Sequence, residues 1–221
     1  TFADGADIIT ASAGTSNFRA GVNAGNSIAS GGNYNTVVGD EAGTALTTGD
    51  SNVIIGMVAG DALTTASDNV AVGQGALTDD TLGSKTVAIG RQALTTQNFT
   101  SATDTYNTAV GHNAGLSVTT GTHNTLIGGL AGDAVTTGGN NTAVGKSSLS
   151  AINTGSDNTA IGQMALSDDT KGSKSTGVGY QALSSQNFTS ATDSNNTAVG
   201  YNAGSLITTG TQNTFIGAAA G

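Results

Sequence analysis

Short apolar pairs separated by one residue recur along this chain, each closed by a glycine: NTVVG, NVIIG, NTAVG, NTFIG. The glycines stand at 39, 56, 73, 90, 111, 128, 145, 162, 179, 200 and 217. Eight of the ten intervals are 17 residues and two are 21. Both longer intervals contain QNFTSATD, at 97–104 and 186–193, so a super-repeat of 89 residues overlies the short one. A degenerate copy beginning NFRAG extends the pattern back to Asn17. Sequence divides the chain into a lead-in or partial coil over 1–16 and one repeat domain over 17–221.

Numbering each coil from its Asn assigns the positions. The second is Thr or Val and the fourth Val or Ile from Val38 to Ile216; the third, between them, is Val37, Ile54, Leu126 and Phe215 in some coils and Ala in most others. A spacing of two is the strand period, which predicts a three-residue strand with positions two and four on one face. The reading places those β-branched residues inward and position three outward. Glycine at five marks a bend or a close backbone approach. Position eight is Ala in most copies, as at Ala42 and Ala114, which predicts a buried narrow turn. Where position nine is Gly, position twelve is aliphatic, as in Gly43 with Leu46; where nine is Leu, as in Leu77 or Leu94, twelve is polar. One interior pocket per coil, filled from either side at conserved volume, accounts for the exchange. Leu149 with Ile152 departs from it.

Stacked coils place the Asn residues of position one, from Asn35 to Asn213, in an amide ladder. Thr86 and Ser175 interrupt it 89 residues apart. The glycine content, the β-branched residues and the absence of a 3.6-residue apolar period exclude a helical repeat. The fold class is therefore all-β: a parallel β-solenoid of about a dozen 17- or 21-residue coils, rising about 4.8 Å each.

Composition narrows the function. The 221 residues include 34 Gly and no Pro, Cys or Trp, and only 10% are charged, so neither a disulfide nor a thiolate metal site supports the fold. A net charge of −9 with six scattered Lys and Arg offers no basic stripe for nucleic acid. No apolar run suits membrane insertion, and TFADGADIITASAG lacks the features of a signal peptide, so a soluble chain is expected.

The repeats NTAVGHNAGLSVTTGTHNTLIGGLAGDAVTTGGNNTAVG resemble those of YadA-like trimeric adhesin heads, and are similar to NTAVG-type β-solenoid repeats of phage tail fibres. The resemblance implies a left-handed β-roll of three chains and an extracellular place on a cell surface or virion. It further implies a structural or adhesive role as a rigid shaft or head, without enzymatic activity or cofactor. The expected partner is the chain itself, as homotrimer or filament, with a surface glycan or protein as a further one. Exposed small and apolar residues stacked at position three (Val37, Ile54, Leu126, Phe215) form the expected interface. A self-assembling filament or matrix protein is the alternative, suggested by the absence of a visible capping element. An ice- or glycan-binding solenoid is the third reading, the former resting on paired threonines such as Thr47 with Thr48.

Candidate chemistry is sparse. Asp79 with Asp80, repeated as Asp168 with Asp169, are the carboxylate pairs that would suit a hard cation, but they lack the ligand spacing of a calcium loop. The reading is a solvated turn neutralised by Lys85 and Lys174, with Asp104 and Asp193 treated alike. His112 and His123 have no catalytic partner in the pattern. Phe99 and Phe188 lie in the four-residue insertions, either protruding to contact a ligand or folding back to cap the enlarged coil.

Overall fold

The computed structural model describes residues 12–221, leaving most of the lead-in segment outside the description. Twelve three-residue strands form one parallel sheet in chain order, from β1 (Phe18–Ala20) and β2 (Thr36–Val38) to β16 (Thr214–Ile216). Each residue stands over its equivalent one coil away, as Thr36, Val37 and Val38 stand over Val53, Ile54 and Ile55 of β3 (Val53–Ile55). Among the described residues there is no helix, and the β-solenoid expected from the repeat is the fold.

Two further parallel pairs arise where the coil lengthens: β5 (Gly83–Ser84) with β7 (Thr103–Asp104), and β12 (Gly172–Ser173) with β14 (Thr192–Asp193). The extra four residues thus continue the stacking and loop out between Phe99 and Thr103.

The interior holds position three, not positions two and four. Val37, Ile54 and Leu126 are fully buried, as are the alanines of the same row such as Ala71, Ala88 and Ala143. The outward direction expected for position three is therefore corrected, and Val37, Ile54 and Leu126 are core residues. Phe215 packs against the core in the last strand. The physical reason lies in volume. The interior is thin, the row at position three is mostly Ala, and the remaining space is filled by the leucines and other aliphatic residues of positions nine and twelve. Leu46, Leu63, Val118 and Val135 at twelve, and Leu77, Leu94, Leu166 and Leu183 at nine, are all fully buried.

The exchange between nine and twelve also includes position three. A Cβ on Gly43 would meet Ile54 Cδ1 at 3.1 Å, and one on Gly132 would meet Leu126 Cδ2 at 2.6 Å. Glycine stands at nine where a large position-three side chain reaches into the same space. Ala143 leaves room in its coil, which accommodates both Leu149 and Ile152.

The expected asparagine ladder is present, and its main rung is side chain to backbone. Asn35 Oδ1 accepts the backbone N–H of Asn52 at 2.9 Å, while Asn35 donates through Nδ2 to the carbonyl of Gly49, fourteen residues on, at 2.9 Å. Asn52, Asn124, Asn141 and Asn158 repeat this donation. Each amide thus fastens its own coil and positions the next, satisfying backbone groups that burial would otherwise leave unpaired.

Candidate functional surface

With position three inside, the sheet's outer face carries positions two and four. Position four runs Val38, Ile55, Val72, Ile89, Val110, Ile127, Val144, Ile161, Val178, Val199, Ile216. Ile55, Ile89, Ile127, Ile161 and Val199 are 37 to 40% exposed despite lying mid-sheet, and Ile216 is 73% exposed. Beside this row stands position two, half-buried Thr or Val from Thr36 to Thr197. The result is a strip of β-branched side chains along the solenoid, a continuous patch of the kind that marks an interaction surface.

The carboxylate pairs divide. Asp79 and Asp168 are exposed, whereas Asp80 and Asp169 are fully buried at position twelve, where other coils place an aliphatic side chain. Asp80 accepts Gln97 Nε2 at 2.5 Å, the N–H of Gly83 at 3.0 Å and the N–H of Phe99 at 3.2 Å. Asp169 accepts Gln186 Nε2 at 2.6 Å, Gly172 N–H at 2.9 Å and Phe188 N–H at 3.1 Å. The solvated turn expected for these residues is corrected: their oxygens are occupied by protein donors that fold the insertion back. Burial pushes the Asp80 carboxyl above the usual range, against the opposing effect of those hydrogen bonds.

The same network explains the two gaps in the asparagine ladder. Gln97 also donates to Thr86 Oγ1 at 3.1 Å and accepts from Asn107 Nδ2 at 2.8 Å, bridging the rung that Thr86 leaves short. Gln186 repeats both contacts, with Ser175 at 2.8 Å and Asn196 at 2.7 Å. Aspartate, glutamine and a hydroxyl residue were visible as repeated letters. Their pairing across coils was not, because it needs the 17-residue stacking distance to be applied to polar side chains as well as apolar ones.

Phe99 and Phe188 are buried, at 7% and 6% exposure, so they cap the enlarged coils and present no ring to a ligand. Lys85 binds Asp104 at 2.5 Å and Lys174 binds Asp193 at 2.6 Å, not the aspartates of the neighbouring turn. These pairs are exposed, and hydrogen bonding to Asp104 and Asp193 raises each lysine's pKa. No group of three or more His, Cys, Asp or Glu side chains converges as a metal site among the described residues.

No family model, curated protein or solved structure matches the chain.

The remaining surface chemistry lies in rows set by the stacking. The last position of the coil holds Lys85, Tyr106 and His123 in successive coils, with Tyr106 and His123 ring centres 5.2 Å apart. Position six holds Arg91 and His112, with Nη1 and Nε2 3.3 Å apart, and, one super-repeat on, Tyr180 stacked on Tyr201 at 5.2 Å. Both histidines are exposed. Beside Arg91 the surface dips into a notch of about 210 Å³ lined by Val58, Gln74, Gly75, Thr78, Arg91, Gln92 and Thr95. Hydroxyls of the inner paired-threonine row bond along the stack to the next coil's backbone, Thr47 to Thr64 O at 3.0 Å and Thr64 to Thr81 O at 3.1 Å. The outer row is interrupted by Leu82 and Lys171.

Proposed function

We propose that the chain is a structural and adhesive extracellular module, a rigid shaft or head of a surface adhesin or phage fibre, wound left-handed and assembled as a homotrimer. The supporting observation is the uninterrupted outward row of Val and Ile at position four. Eleven rungs at about 4.8 Å make a strip about 50 Å long and about 10 Å wide, hence on the order of 500 Å² per chain. Pairing two such strips removes about 1,000 Å², the lower bound for a stable interface, and a three-fold arrangement lets each strip face two neighbours. A shaft of this kind needs no catalytic residue; its work is to resist bending and to hold other surfaces outward.

Light scattering on the isolated chain tests the reading. A mass of three chains at micromolar concentration is expected. Replacing Ile55, Ile89, Ile127 and Ile161 together with Ser should reduce it to one chain while the β-sheet circular dichroism persists. A single-chain mass for the unmodified protein would overturn the proposal.

A further inference from the structure

The 89-residue super-repeat supplies an internal comparison for the notch beside Arg91. Its residues have counterparts one super-repeat on: Ser147 for Val58, Gln163 for Gln74, Met164 for Gly75, Ser167 for Thr78, Tyr180 for Arg91, Gln181 for Gln92 and Ser184 for Thr95. The amides stay and the hydroxyls stay. The two changes that matter are Gly75 to Met164, which fills the space where Gln181 Nε2 lies 3.9 Å from Met164 Sδ, and Arg91 to Tyr180, which removes the charge. Gly75 and Met164 share the left-handed region of backbone conformation, with φ of 65° and 58°, so a side chain is tolerated at this position.

What glycine does is open a floor. Val58 and Gln92 stand one coil to either side of Gly75 in the same row, and the missing side chain leaves the dip between them. Thr78 and Thr95 line the notch and donate their hydroxyl hydrogens to the carbonyls of Val58 and Gly75, at 3.3 and 3.0 Å, which leaves each oxygen able to accept. Gln74 and Gln92 have no side-chain hydrogen bond among the described residues, and Arg91 has only His112 at 3.3 Å. Amide, hydroxyl and guanidinium groups around a small apolar floor are thus available together, on a chain whose other five Lys and Arg lie elsewhere.

We propose that this notch binds one carboxylated sugar unit, its carboxylate on Arg91 and its hydroxyls on Gln74, Gln92, Thr78 and Thr95. Arginine's planar fork matches a carboxylate through two parallel hydrogen bonds. Neutral amides and hydroxyls, which both donate and accept, match ring hydroxyls. The size fits a single ring, being below the range of about 300 to 1,000 Å³ that larger ligands occupy. Asp61 stands one coil before Thr78 in the same row, two coils from the one that holds Arg91 and outside the notch lining, so like-charge repulsion favours a carboxylate at the Arg91 end. The site is complete within one chain, so it goes beyond the assembly reading and its failure leaves that reading standing.

The test is calorimetric and NMR titration of the full chain with methyl β-glucuronide, methyl β-glucoside and acetate. The glucuronide is expected to bind once per chain with a dissociation constant on the order of 1 mM, at least tenfold tighter than either control. Arg91→Gln, with the melting temperature unchanged, and, separately, Gly75→Met, with a melting temperature lower by a few degrees from its left-handed backbone, should each weaken it at least tenfold. Met164→Gly with Tyr180→Arg should raise the stoichiometry from one to two. Equal binding of glucuronide and acetate, undiminished binding in Gly75→Met, or no glucuronide binding at tens of millimolar would each overturn the proposal.

Discussion

Adjacent glycines in one coil face opposite constraints, and substituting each with alanine separates them. Gly128 closes a strand at φ +134°, and a Cβ there would lie 2.5 Å from Gly145 O and 2.7 Å from Gly145 C in the next coil. Gly129, the next residue, would place its Cβ 4.0 Å from the nearest atom. Alanine at 128 must adopt a conformation costing about 1 to 3 kcal/mol. It must also push the two coils apart, loosening the bonds Gly128 N–H to Val110 O and Gly145 N–H to Ile127 O, both 2.8 Å. At about 1 kcal/mol for each weakened bond, the total is about 3 to 5 kcal/mol. For a chain of this size that corresponds to a melting temperature lower by about 6 to 20 °C. Gly129→Ala has no such obstacle and stabilises by up to about 1 kcal/mol through the unfolded chain. Circular dichroism melts of both variants, with hydrogen exchange to locate the loss around residues 110, 127 and 145, provide the measurement. If the two variants melt within about 2 °C of each other, the close approach of stacked glycines does not hold the coils in register.

Asn141→Ala should cost about 2 to 6 kcal/mol in urea unfolding, because it strands the carbonyl of Gly155 and the N–H of Asn158, each a buried group worth about 1 to 3 kcal/mol unpaired. An effect near zero would show that the ladder is ornamental. Burial, together with the charges of Asp79 and Glu41, pushes the Asp61 carboxyl up against the opposing effect of two backbone N–H groups. Its raised native pKa means that it favours folding most below the usual carboxylate range and loses that contribution as pH rises through the native value. Asp61→Asn should therefore raise the melting temperature at about pH 7 and converge with the parent at about pH 3; a gain that is the same at both would refute the assignment.

The repeat length, the parallel stacking, the asparagine ladder, the buried Ala of position eight and the shared pocket of positions nine and twelve were all legible in the sequence. Each depends on one residue type recurring at one spacing. The direction of the strand faces was not. Ile55 and Ile54 are chemically alike, so alternation states that they oppose each other without stating which is inside. The alanines at 71, 88, 109 and 143 held the missing signal: a thin interior admits small residues most often, and the larger β-branched row is left outside. Asp80 was misread for a related reason. Its neighbour Asp79 is exposed, and only the position number, twelve, connects it with Leu46 and Leu63 in the core.

Because every coil is bonded only to the one before and the one after, in the same register throughout, length is a free variable of this architecture. A whole super-repeat of five coils can be gained or lost by recombination within its own near-identical stretches without creating a new junction. Each event changes the reach of the shaft by one step of about 24 Å. The buried Asp, Gln and hydroxyl clasp then serves as a built-in ruler mark, since it recurs once per step, and a population of related chains would differ in span by whole multiples while keeping the same cross-section.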